Sequence, residues 1–150
     1  LDGGLASILI GLHDVHLGAF GAVGLILILI TKVAAVASIS SFAPIVLAPV
    51  LGRWVLGYAA TYPPARADGM AVMFRAGLTR RVIFVATIFA ALCCAIFGWL
   101  GFVSFITAFA IATLVARFTM NRLGGLTGDI YGMICESVEL GVLIVGTLTI

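Results

Sequence analysis

Between Val82 and Ala116 the chain runs for 35 residues without one charged side chain. As a helix that stretch is about 52 Å long, against a bilayer hydrocarbon core of about 30 Å. It is too long for one crossing and just sufficient for two short ones. Gly98-Trp99-Leu100-Gly101 is the natural hairpin, with Trp99 as an interfacial anchor. A second apolar run, Leu17 to Thr61, covers 45 residues and must also cross twice. Its turn is expected over 38–44, where Pro44 ends one helix and starts the next. A last apolar stretch, Ile130 to Ile150, completes the set. The expectation is an all-α integral membrane protein, a polytopic helical bundle with about five transmembrane helices, forming a single membrane domain over 1–150.

Composition agrees, since 63% hydrophobic and 9% charged residues exclude an ordinary soluble domain, which is roughly 25% charged. A net charge of +2 carries no nucleic-acid footprint. The placement of the charges says more. Arg66, Arg75, Arg80 and Arg81 fall within 62–81, and Arg117 and Arg122 follow the second hairpin, whereas neither hairpin tip carries Lys or Arg. With five spans, both arginine-bearing loops share a side with 1–16, and the positive-inside rule makes that side cytoplasmic. The expected location is therefore the cell membrane, the inner one in a bacterium, with the motif-bearing loops in the cytoplasm. Cys93, Cys94 and Cys135 have no C-x-x-C or His spacing and are read as small buried side chains. No basic segment of a signal peptide opens the chain, and its first residue is not Met, so it is expected to be part of a longer protein.

The chemistry concentrates near the end. Asp129, Gly132, Glu136 and Glu139 stand at i, i+3, i+7 and i+10, on one helical face. Each ionised group near the bilayer centre costs about 2.5–3.5 kcal/mol, so that face must meet protein, water or metal. Arg53 lies about 12 Å inside the boundary at Thr61, and Glu136 and Glu139 lie about 9 and 14 Å below Ile130. A structural Arg–Glu pair and a functional acid cluster are both consistent with those depths. Lys32 is expected to snorkel toward the far surface with no catalytic role. Asp129, at the start of the last helix, suits Mg²⁺, with an N-cap as its simpler role. Gly124, Gly125 and Gly128 precede that helix, where free N–H groups favour phosphate. Gly21, Gly24 and Gly132 are read as packing glycines. Arg66 and Arg122 suit the charge of a pyrophosphate or simply mark topology.

These segments resemble the cobalamin synthase family, the adenosylcobinamide-GDP ribazoletransferases. Leu123-Gly124-Gly125-Leu126-Thr127-Gly128-Asp129 matches that family's L-G-G-L-T-G-D. The stretch from His13 to Gly21 is similar to its K/R-D-S-R-x-G-x-x-G, Ala48 to Trp54 to its A-P-x-x-x-R-W, and Pro63 to Gly69 to its P-x-x-R-x-x-G. The resemblance implies transfer of adenosylcobinamide phosphate from its GDP linkage to α-ribazole or its 5′-phosphate, releasing GMP. It nominates Asp14, Asp129 and Arg53 as catalytic, and His16, Arg66, Arg122, Gly124, Gly125 and Gly128 for substrate. Asp2, Asp129, Glu136 and Glu139 become the candidate Mg²⁺ ligands. His13 and His16 stand where that family has basic residues.

The family's acidic block D-G-L-A-D-x-x-D-G is reduced here to Asp2-Gly3, so a missing N-terminal segment or a homo-oligomer is the expected protein partner. A CDP-alcohol phosphotransferase pattern fails at Ser7, His16 and Phe20. A non-catalytic membrane subunit or transporter fragment, in which the charges pair or line a pathway, is the reading from another class.

Overall fold

The computed structural model describes residues 19–65 and 70–148. They form α1 (Ala19–Ser38), α2 (Ala43–Ala59), α3 (Met70–Gly77), α4 (Arg80–Ile96), α5 (Gly98–Leu123) and α6 (Gly128–Leu148). The only pairing outside helices among the described residues is an isolated parallel bridge between Pro64 and Leu126. The chain is an all-α polytopic membrane bundle.

Both expected turns occur. Helix α1 stops at Ser38, and α2 starts at Ala43 with Pro44 in its first turn, where a missing N–H costs nothing. The second hairpin is tighter than 98–101, because Phe97 alone ends α4 and begins α5. Gly98 takes φ +56°, a conformation that glycine adopts without penalty. Gly101 then lies against the Cys94 carbonyl, leaving no room for a Cβ.

Two expectations need correction. Helix α5 runs 26 residues to Leu123, so Arg117 and Arg122 sit on its last turns and not in a loop. The expected loop 62–81 contains α3, which meets α4 at 83°. Of the described helices, α5 and α6 are each long and apolar enough to span a bilayer, and α3 with α4 makes a third if counted together. Helix α2 and the described part of α1 are apolar but shorter than a full span.

Helix α6 lies between α2 and α5, and α1 rests chiefly on α6. A stripe of small residues on α5, Gly101, Ser104, Ala108, Ala112, Ala116 and Thr119, is buried. Such stripes let backbones approach closely where lipid supplies no hydrophobic drive. Gly141 and Gly146 on α6 admit Ile111 and Pro44 in the same way. Gly24 and Gly132, expected as packing glycines, have nothing within 4 Å of a built Cβ. An aromatic ladder joins α2 to α5: Trp54 on Phe105 at 4.6 Å and Tyr58 on Phe109 at 5.2 Å between ring centroids. Leu25, Ile26, Leu29, Ile30 and Val33 of α1 are exposed, as a lipid-facing surface requires.

The bundle has two unlike ends. Phe42 and Phe97, from the two hairpin turns, touch at 5.9 Å, so the tips without Lys or Arg lie together. At the other end Arg75 Nη1 donates to the Tyr62 carbonyl at 3.3 Å, and Leu126 N donates to the Pro63 carbonyl at 2.9 Å.

Gly101→Val should destabilise the protein at the upper end of the roughly 1–3 kcal/mol typical of overpacking. Gly24→Ala should be neutral or slightly stabilising, because its Cβ meets open space. Thermal unfolding of both variants in detergent checks this, and equal melting temperatures would contradict the hairpin contact.

Candidate active site

Glu136 and Glu139 are three positions apart on α6 and converge on Lys32 of α1. Lys32 Nζ donates to Glu136 Oε2 at 2.6 Å and to Glu139 Oε2 at 2.8 Å. Arg53 Nη1 donates to Glu139 Oε1 at 3.0 Å and to Cys135 Sγ at 2.7 Å. Two cations thus balance two carboxylates, and the set is neutral. This corrects the reading of Lys32, which does not snorkel away but joins α1 to the acidic face. The signal was present in the sequence: a lone ammonium deep in an apolar helix needs a partner, and Glu136 and Glu139 supply it. Cys135 is buried as expected, yet it belongs to this polar cluster. Gly52 makes room for it, since a Cβ there would stand 2.6 Å from Glu139 Cγ.

Asp129 is exposed in the first turn of α6, and its carboxylate makes no hydrogen bond or ion pair with any described residue. Because α6 begins at Gly128, Asp129 is already helical, which removes the N-cap role. Favourable interaction with the helix dipole remains, about 0.3–1 kcal/mol.

The glycine segment folds for clear local reasons. Gly124 ends α5 at φ +71°, and its N–H donates to the Met120 carbonyl at 2.9 Å. Gly125 presses on the Pro64–Ala65 backbone, where any Cβ would collide. Ala65 N donates to the Leu126 carbonyl at 2.9 Å, closing a strap between the two loops. Gly128 is not ahead of the helix but its first residue, and a Cβ there would touch Met70 Cβ at 3.4 Å. Arg122, exposed on α5, lies 5.3 Å over the Phe118 ring. Nearby, the hydrogen bond to Tyr58 and burial push the Tyr62 phenol above its ordinary value, keeping it neutral.

A cavity of about 400 Å³ lies between α2, α3 and α6. Leu56, Met70, Phe74 and Tyr131 give it apolar walls, and Arg53, Cys135 and Glu136 a polar side. Tyr131 is 7% exposed, and its hydroxyl is buried without a hydrogen-bond partner among the described residues. Neither the cavity nor Tyr131 was anticipated, because α3 lies in what reads as a loop. Among the described residues no three of His, Cys, Asp and Glu converge as metal ligands. Asp2, Asp14, His16 and Arg66 lie outside the described residues.

Fold and site together define a membrane bundle that carries a neutralised ion cluster beneath a strap of two motif segments. The sequence profile of the cobalamin-5-phosphate synthase family matches residues 6–147. The chain belongs to that family. It is 38% identical over 109 residues to an adenosylcobinamide-GDP ribazoletransferase of Roseiflexus sp. (strain RS-1), covering 71% of this chain and 40% of the relative. Over 101 residues it is 39% identical to the enzyme of the same name from Desulforamulus reducens, covering 65% and 40%. The match to that from Herpetosiphon aurantiacus is 36% over 104 residues, covering 67% and 41%. The chain thus spans about 40% of the length of these relatives. No solved structure matches it.

Lys32→Met should cost roughly 1–3 kcal/mol, less than the about 3–5 kcal/mol of a fully buried pair, because Glu136 keeps 41% side-chain exposure. Adding Glu136→Gln should recover part of that loss. Denaturation in detergent measures both, and an unaltered Lys32→Met protein would show that the cluster holds nothing together.

Proposed function

We propose that this chain is the C-terminal part of a membrane transferase that joins adenosylcobinamide-GDP to α-ribazole, or its 5′-phosphate, and releases GMP. The observation that carries this reading is the strap. It sets the proline segment before Arg66 against Gly125-Leu126, directly ahead of Asp129 and beside a nucleoside-sized cavity. In the reaction a free ribose hydroxyl oxygen of the ribazole forms a bond to the cobinamide phosphorus, the bond to the GMP oxygen breaks, and the hydroxyl proton leaves. Such chemistry asks a protein mainly to position groups and to spread charge.

The residues divide that work. The first N–H groups of α6 have no intrahelical acceptors and face a pyrophosphate favourably. Arg122 adds positive charge at the same end, and Arg66 and His16, outside the described residues, are proposed as further substrate contacts. Arg53 holds the acidic helix and offers its remaining N–H groups to a bound phosphate. Asp14 or Asp129 accepts the hydroxyl proton or orients that hydroxyl.

Mg²⁺ is the proposed cofactor. Asp129 is the carboxylate left open for it, with Asp2 as a second acid, whereas Glu136 and Glu139 would have to exchange Lys32 for the metal. Bound there, Mg²⁺ would neutralise phosphate oxygens. Asp129→Asn, made in a full-length family member, should lower turnover at least tenfold, toward the roughly 100-fold scale of lost metal-site contacts, with expression nearly unchanged. GMP release against Mg²⁺ concentration is the measurement, and an identical curve for both proteins would refute the assignment.

We further propose that the arginine-bearing end is cytoplasmic, supported by the clustering of both uncharged hairpin tips at the opposite end. In a cysteine-free background, Arg75→Cys should label from the cytoplasm and Trp99→Cys from outside. Labelling of both from one side would overturn the topology.

A further inference from the structure

We infer that the outer face of α5 holds one anionic phospholipid, with the lipid phosphate on Arg117 and Asn121 and an acyl chain in the groove beneath them. The site is independent of the transferase reading and needs only the membrane bundle. Helix α5 sets the depth. Its 26 residues extend about 39 Å, more than a hydrocarbon core of about 30 Å. Gly98 starts α5 at the hairpin end, and Arg117 lies about 28 Å along the axis from it, at the level of the lipid phosphates.

Phe109, Thr113, Arg117 and Asn121 recur every four positions on one stripe, and Ala110, Leu114 and Phe118 form the stripe beside it. Together they line a groove of about 560 Å³. The stretch from Phe109 to Asn121 is about 18 Å long, and its chemistry follows depth, with apolar side chains innermost and the guanidinium and carboxamide at the surface. A phospholipid has the same order. Phe109, Leu114 and Phe118 are exposed, so the groove opens to the bilayer.

The inner edge of the groove is fixed. The Tyr58 hydroxyl bonds to Thr113 Oγ1 at 3.0 Å and to the Tyr62 hydroxyl at 3.1 Å, which pins α5 to the end of α2. Arg117 stands close enough to interact with the Tyr62 phenol. No carboxylate among the described residues pairs with Arg117, since the ion pairs engage Lys32 and Arg53. Arg122, 5.3 Å over the Phe118 ring, adds a second positive charge at that level. These charges select the headgroup. A phosphate complements them, whereas the ammonium of a choline or ethanolamine headgroup would find no acid there. A glycerol headgroup is neutral beyond its phosphate and offers hydroxyls to the Asn121 amide, so the occupant is of the phosphatidylglycerol type.

Native mass spectrometry of the 150-residue protein in detergent, titrated with phosphatidylglycerol or phosphatidylcholine of matched chains, tests the site. We expect one phosphatidylglycerol per chain, held at least tenfold more tightly than phosphatidylcholine. Arg117→Gln should weaken it about tenfold and erase the preference. Ala110 is exposed in the groove, so Ala110→Trp fills the space without entering the core and should weaken binding to a similar degree. Arg81→Gln removes an equal charge from the exposed start of α4, outside the groove, and should leave binding unchanged. No lipid retained by the wild-type protein, equal affinity for both lipids, or a loss in Arg81→Gln as large as in Arg117→Gln would overturn the site. Phosphatidylglycerol binding that survives Ala110→Trp would show that only an anion is held there and would overturn the acyl-chain assignment.

Discussion

Two carboxylates three positions apart on a membrane helix raise an electrostatic demand that neighbouring helices must meet. Lys32 and Arg53 meet it from α1 and α2, and the contacts between 2.6 and 3.0 Å fix the relative depth of three helices. Apolar side chains cannot set that depth, because sliding one lipid-facing helix along another trades like for like. Ion pairs can, since a shift of one turn, about 5.4 Å, would separate every charge from its partner. Helix α1 depends on this most. Its outer face is exposed and apolar, and its main neighbour is α6.

The strap answers a different demand. Pro63 and Pro64 have no N–H to satisfy, so they leave α2 behind without losing ladder bonds, and Pro63 still offers its carbonyl to Leu126. Gly125 lets the two backbones approach, and Gly124 supplies the left-handed turn that sends the chain back from α5 into α6. Residues some sixty positions apart are thereby held side by side at the arginine-bearing end. The glycines of this motif, read first as a phosphate cradle, thus owe their identity at 124 and 125 to the backbone path. The N–H groups at the start of α6 are what they leave open.

Much of the architecture was legible because lipid is an exacting solvent. Uncharged runs longer than one bilayer thickness must turn, and they turn at Phe97-Gly98 and just before Pro44, where glycine and proline leave few alternatives. The depth match of Arg53 with Glu136 or Glu139 followed from helical rise alone, and the structure joins Arg53 to Glu139 at 3.0 Å. What stayed hidden has a common cause. Helix α3 is only eight residues long, about two turns, and carries Arg75 in a segment that also holds Arg66, Arg80 and Arg81, so it reads as part of an arginine-bearing loop. The cavity it closes against Tyr131 was invisible for that reason. Lys32 was misread because depth along one helix does not reveal which neighbour lies across from it. Gly132 was misread because a glycine that admits a helix and one that leaves a space look alike in sequence.

Arg53 removes an apparent conflict between the structural and the functional readings of the ion cluster. Its contacts with Glu139 and Cys135 both run through Nη1, although a guanidinium carries five N–H donors. The side chain is 68% exposed, whereas Glu139 is 15% exposed. One nitrogen is thus committed to the helix pair, and the remainder of the fork faces outward beside the cavity. A lysine at 53 could hold Glu139 equally well, but as a compact point charge it would not present a second, fixed set of donors. Under the proposed function the arginine serves both demands at once. Pairing with Glu139 offsets the cost of its charge and orients the planar group, and the proposed phosphate contact requires such a fixed free edge, which binds without further loss of side-chain entropy.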